Sequence, residues 1–186
     1  MHRIATPVIV ISLLGAPGFS AAQGLGRIEA RIGETDMRWQ TITTARNSGT
    51  EASAALRFGP RLTELQIQGY PGAEFTSTNV ISVDLRYLGQ YAPDAVPMSV
   101  DILYMPDGMG GPFWTSNGAT FAPTVRVLEL DVWGGFGRID LLFAGELCLK
   151  KIISAATDPG RCQEVTGRIE TELFVDYGTP GGPRRR

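Results

Sequence analysis

Apolar residues in this chain recur at every second position and almost nowhere at helical spacing. Arg27-Ile28-Glu29-Ala30-Arg31-Ile32 alternates cleanly and stops at Gly33. A second strand passes through Trp39 and Ile42 over 37–44, and Asn47-Ser48-Gly49 reads as a loop. Residues 54–58 form a short strand ended by Gly59-Pro60. Leu65 and Ile67 share one side of 62–68. Ile81, Val83, Leu85 and Tyr87 carry the same rhythm through 79–87, and 97–105 leads into a Gly-rich loop at 106–112. Asn117-Gly118 reads as a hairpin turn inside 113–121. A long strand over 124–133 turns at Gly134-Gly135 into 138–150, and 165–177 is the last strand. The 23 glycines and 12 prolines supply the turns. The expected fold is all-β: an antiparallel β-sandwich or flattened β-barrel of about ten strands. The one weak helical candidate is 152–157.

Two cysteines are present, Cys148 and Cys162, and an even count in an exported chain reads as a disulfide. On the flanking strands Ile139, Leu141, Phe143 and Leu147 share one parity, as do Val165, Ile169 and Leu173. Both cysteines take the other parity, so the sulfurs meet on the more polar face of a hairpin. Asp158-Pro159-Gly160 supplies a turn signal between them. Placing the cysteines opposite each other sets Glu146 against Glu164 and Asp140 against Glu170. Like charges across strands are unfavourable, so a slipped register or a bulge is expected there.

Residues 1–22 read as a secretory signal peptide. Arg3 gives the positive start, 4–14 is apolar, and Ser20-Ala21-Ala22 offers small residues for cleavage before Gln23. The apolar run is shorter than the roughly 20 residues a membrane span needs. What remains is a single all-β domain over 23–178, periplasmic or secreted, with a Gly/Pro/Arg tail at 179–186 that reads as disordered. The only histidine is His2, inside the expected signal. A Ser-His-Asp triad, a Cys-His pair and any His-ligated metal are therefore excluded. The formal charge of −2 gives no long-range attraction to nucleic acid or anionic membrane.

The stretch from Arg27 to Gly33 leading to Trp39 resembles the opening of a group of secreted bacterial all-β domains that have no assigned activity. Those domains begin with a strand, an Asp-Gly-type turn and a Trp in the next strand; here Gly33-Glu34 stands in the turn. Gly137-Arg138-Ile139-Asp140-Leu141-Leu142-Phe143 and Val165-Thr166-Gly167-Arg168-Ile169 are similar to their last two strands. The resemblance implies an all-β fold and brings no catalytic residues.

Without histidine, hydrolysis would rest on carboxylates. Asp131 beside Trp133, Asp107 before the Gly-rich loop and Glu74 beside Phe75 are the acids near aromatics, and each also fits the solvent face of an alternating strand. Trp39, Trp114 and Trp133, with Phe113, are the candidate ligand-contacting residues. Gly108-Met109-Gly110-Gly111 and Gly134-Gly135-Phe136-Gly137 open no helix and read as turns rather than phosphate loops. No calcium spacing occurs, so no cofactor or metal is expected. The leading reading is a non-catalytic exported domain that binds an envelope component, a polysaccharide or a small apolar ligand. A small-molecule carrier with Trp39, Trp133 and Phe143 lining an internal cavity is the alternative. A carboxylate-based hydrolase of envelope polysaccharide ranks third. Native mass spectrometry of protein taken from the periplasm checks the first steps. A chain beginning at Gln23 and lighter by about two hydrogen masses is expected, and a retained small molecule would identify a carrier.

Overall fold

The structure is a computed structural model that describes residues 23–46 and 49–178. The expected signal peptide at 1–22 and the tail at 179–186 lie outside the described residues. Eleven strands and no helix make up the described residues. They are β1 (Gln23–Ile32), β2 (Thr35–Arg46), β3 (Gly49–Ala52), β4 (Ala54–Phe58), β5 (Leu62–Gly69) and β6 (Val80–Leu88). β7 (Ser99–Met105), β8 (Phe113–Thr115), β9 (Thr124–Trp133), β10 (Phe136–Lys150) and β11 (Asp158–Asp176) complete the chain.

The long hairpin β10–β11 organises the rest. Its apolar positions fall on one side as alternation dictates: Ile139, Leu141, Phe143, Leu147, Val165, Ile169 and Leu173 are all buried. Along the outer edge of β11 lies β1, followed by β2 and β3; along β10 lies β9. The remaining strands β4-β5-β6-β7-β8 run as a meander attached at opposite ends of the hairpin. β8 pairs with the C-terminal end of β10 through Thr115↔Cys148 and Trp114↔Leu149. β4 runs parallel to the C-terminal end of β11 through Ala55↔Phe174 and Leu56↔Val175. The path β11-β4-β5-β6-β7-β8-β10 therefore returns to β11. Hydrogen-bonded neighbours form a closed circuit, with β1–β3 and β9 extending beyond it. The core inside holds Ile28, Trp39, Leu65, Ile67, Ile81, Leu85 and Ile102 against the hairpin. The indole N–H of Trp39 donates to the Asn79 carbonyl at 2.9 Å, which satisfies its one polar group in the core.

The cysteines bond directly across β10–β11, and the like-charge pairs are kept rather than avoided. Cys148↔Cys162, Glu146↔Glu164 and Asp140↔Glu170 are all cross-strand partners; the register shift falls only past Cys148, where Leu149 meets Asp158. Arg168 explains the tolerance at Asp140 and Glu170. It forks onto Asp140, Nε to Oδ1 at 2.9 Å and Nη2 to Oδ2 at 2.7 Å, and Nη2 also lies 2.9 Å from Glu170. Arg27 on β1 contacts Glu170 from the other side, and Arg38 continues the row to Glu29 at 2.9 Å.

Four local expectations are corrected. Residues 152–157 form turns and no helix, because the disulfide draws 158–162 into the ladder and leaves only a short connection. β11 thus begins at Asp158, with the Asp158 carboxylate accepting from the Gly160 N–H at 3.0 Å. Asn117-Gly118 turns the chain into a loop rather than a hairpin, since β8 stops at Thr115. Of the loop expected at 47–49, 47–48 lie outside the described residues and Gly49 opens a short edge strand, β3, paired to β2. The sheet is antiparallel except at β11–β4.

Asp140 is held below the usual 3.8 by its hydrogen bond from Arg168; desolvation opposes this, and the charges of Arg168 and Arg138 add to the lowering. A carboxylate with a lowered folded pKa contributes stability above its unfolded value and loses it as pH falls through the folded value. Arg168→Met is therefore expected to lower Tm at neutral pH. The gap from the natural protein should close as the pH drops below 3.8, a profile that thermal melts across pH would read.

Candidate functional site

The sheet β6–β7–β8 turns one side to the core and the other outward. On the outward side Asp84 and Asp101 are direct cross-strand partners, as are Ser82 and Leu103; farther along the same side Val80, paired with Met105, is buried in a second small cluster with Ile42 and Tyr70. Two connections rise on either side of these strands. Residues 106–112 carry Met109; β10 ends at Lys150, and the segment after it carries Ile153. Together they enclose an open groove of about 380 Å³ with Asp84 and Asp101 on its floor and Phe113 and Thr115 at its back.

The walls are fixed to each other through one glycine. Gly111 has φ +83°, and a Cβ there would run into the carbonyl of Lys151. Only a residue without a side chain lets the two connections approach this closely. Ser116 steadies the floor, its hydroxyl accepting from the Ile102 N–H at 2.8 Å.

The floor is polar and partly desolvated. Burial raises the Asp84 carboxyl above its ordinary value; a hydrogen bond from the Ser82 hydroxyl at 2.9 Å opposes this, and the charge of Asp101 adds to it. The charge of Arg86 lowers the Asp84 carboxyl, but its close contacts go elsewhere: its Nε lies 3.3 Å from Glu64, and its Nη1 is 3.9 Å from Asp101. Asp84 therefore keeps acceptor capacity that no cation on its own face saturates. Met105, Met109, Phe113 and Ile153 form an apolar strip beside it, and Met109 and Ile153 are exposed. A row of acceptors next to an apolar strip suits a ligand that offers hydroxyl donors along one edge and C–H groups on its face.

The candidates read from the sequence are dispersed by the fold. Phe113 alone lines the groove. Trp114 points to the other side of β8 and packs against the main core. Trp39 is buried in that core with its ring edge-on to Tyr104, and Phe143 is buried there too. Trp133 stands exposed beside the β9–β10 turn, opposite Phe136. Asp107, Asp131 and Glu74 are exposed and line no part of the groove. Sequence reasoning passed over Asp84 and Asp101, which look like ordinary polar-face residues of alternating strands; only the β6–β7 register sets them side by side. The cysteines, with Glu146, form a compact cluster of ligand-type atoms, but both sulfurs are spent in the disulfide.

Gly111→Ala is expected to cost about 1–2 kcal/mol through its left-handed backbone, with a further loss from the clash. Thermal denaturation measures the cost. Amide shift changes should concentrate at 106–113 and 150–153, showing the two walls coming apart. Compared with known proteins, the chain matches no family model, no curated protein and no solved structure.

Proposed function

We propose that this protein is an exported, non-catalytic binding domain that holds a segment of envelope polysaccharide in the groove over β6–β8. The observation that carries the reading is the pairing, within one groove, of the Asp84–Asp101 acceptors with the strip of Met105, Met109 and Phe113. Pyranose rings offer both faces of this chemistry, hydroxyls at the rim and C–H groups in the plane. The Cys148–Cys162 disulfide fits an oxidising, extracellular environment, and the signal-like pattern of 1–22 agrees with export to the periplasm. Among the described residues no helix is long and apolar enough to cross a membrane.

A carboxylate-based hydrolase is the second reading, and one observation favours it. Asp84 and Asp101 are direct cross-strand partners, so two carboxylates stand side by side on one face, as the paired acids of a glycosidase do. Burial also keeps the Asp84 carboxyl prone to hold its proton, as a general acid must.

One titration separates the two. Soluble peptidoglycan and lipopolysaccharide-core fragments are added to isotopically labelled protein, and released reducing ends are assayed in the same tubes. Binding predicts shifts at Asp84, Asp101, Leu103 and Met109 with no new reducing ends, and about tenfold weaker affinity in Asp101→Asn. Reducing ends that vanish in Asp84→Asn would establish the hydrolase instead. Shifts confined to residues outside the groove would sink both.

A further inference from the structure

The edge strand β9 closes the strand order, and among the described strands only β10 pairs with it. Its other edge carries free backbone groups over ten residues, a template for another strand. Which groups point outward follows from the turn. Trp133 and Phe136 flank the two-residue Gly134-Gly135 turn and are cross-strand partners. Their backbone groups therefore face each other, and alternation leaves those of Val132 and Leu130 on the free edge.

A bulge then changes the phase. Asp140 pairs with Glu129 but Leu141 pairs with Val127, so Leu128 has no partner on β10. Beyond it Val127 and Val125 face the free edge. The same bulge realigns the side chains. Val125, Val127 and Leu130 pack toward the core, while Arg126 and Asp131 point outward together. Five positions apart in an unbroken strand, those two charges would lie on opposite faces.

β9 is consequently complementary to itself. Laid antiparallel on a second copy so that Arg126 meets the second copy's Asp131, the strand also sets Val127 against Leu130 and Val125 against Val132. In that one register every opposed pair shares a face. The free backbone groups of Val125, Val127, Leu130 and Val132 also meet each other. Among the described residues neither Arg126 nor Asp131 has an ion-pair or hydrogen-bond partner in its own chain. Two reciprocal pairs would form across the dyad. Large apolar side chains left in the open also gather on this strand: Leu128 is 45% exposed, Val132 37% and Trp133 54%.

We propose that β9 pairs antiparallel with β9 of a second copy of this chain, joining two protomers through an isologous strand interface. This rests on β9 alone and stands apart from the groove and its ligand.

Sedimentation of the purified 23–186 chain over a concentration series, with hydrogen exchange at each end of the series, tests it. A reversible dimer is expected, with the amides of Val125, Val127, Leu130 and Val132 protected only when concentrated. Those of Glu129 and Asp131, already turned to β10, should not change. Arg126→Asp sets like charges together twice and should weaken the dimer by about tenfold or more. Arg126→Asp combined with Asp131→Arg should restore it. Both positions are exposed, so circular dichroism should show each variant folded. A monomer at every concentration would overturn the proposal. So would a dimer indifferent to the single reversal whose β9 amides stay unprotected.

Discussion

Everything in this fold hangs on the register between β10 and β11. The two strands are long enough to serve every other part of the circuit. β1 and β9 lie along the hairpin's flanks, and β4 and β8 attach at its opposite ends. A slip of one residue would turn Ile139, Leu141, Phe143 and their partners out of the core and move both attachment points. Two unlike forces hold the register. The apolar faces set its parity, and the Cys148–Cys162 bond sets its absolute position. Together they override the repulsion of two carboxylate pairs, one of which Arg168 and Arg27 convert into a charge ladder. Gly167 belongs to the same design: it lies opposite Phe143, and a Cβ there would strike the aromatic ring.

Much of this was legible in the chain. Alternation located most strands, because a half-buried strand writes its two faces directly into sequence. Directly opposed cysteines implied the pairing of Glu146 with Glu164 and Asp140 with Glu170, but the repulsion argued for a slip or bulge there that the strands do not make. What could not be read was non-local. Nothing in residues 54–58 announces that β4 runs parallel to the end of β11, more than a hundred positions away. β8 is three residues long, too short for any period to show. The weak helical reading at 152–157 failed because the covalent link leaves that segment no length in which to nucleate a helix.

The site illustrates the same divide. Phe113 was legible from its place after a Gly-rich loop. Asp84 and Asp101 were not, since each is individually ordinary; they gain their character from being opposed across β6–β7 and partly withdrawn from water. Trp39 and Trp114 were drawn inward because large aromatic surfaces are worth most inside, and their prominence in sequence reflects packing. The groove itself comes from two connections leaning together where Gly111 allows contact with the carbonyl of Lys151.

The closing strand is also the last of the described strands in chain order. β11 is needed by β1, by β4 and by β10, yet it follows all three in the chain. As the chain emerges, the β1–β2 and β4–β7 ladders can begin locally, but neither can be sealed to the rest. The ring stays open until the β11 segment is available, and long-range strand pairing is slow in any case. The β1–β2 and β4–β7 ladders are joined in one step when β11 arrives, so the fold is won or lost as a whole rather than piece by piece.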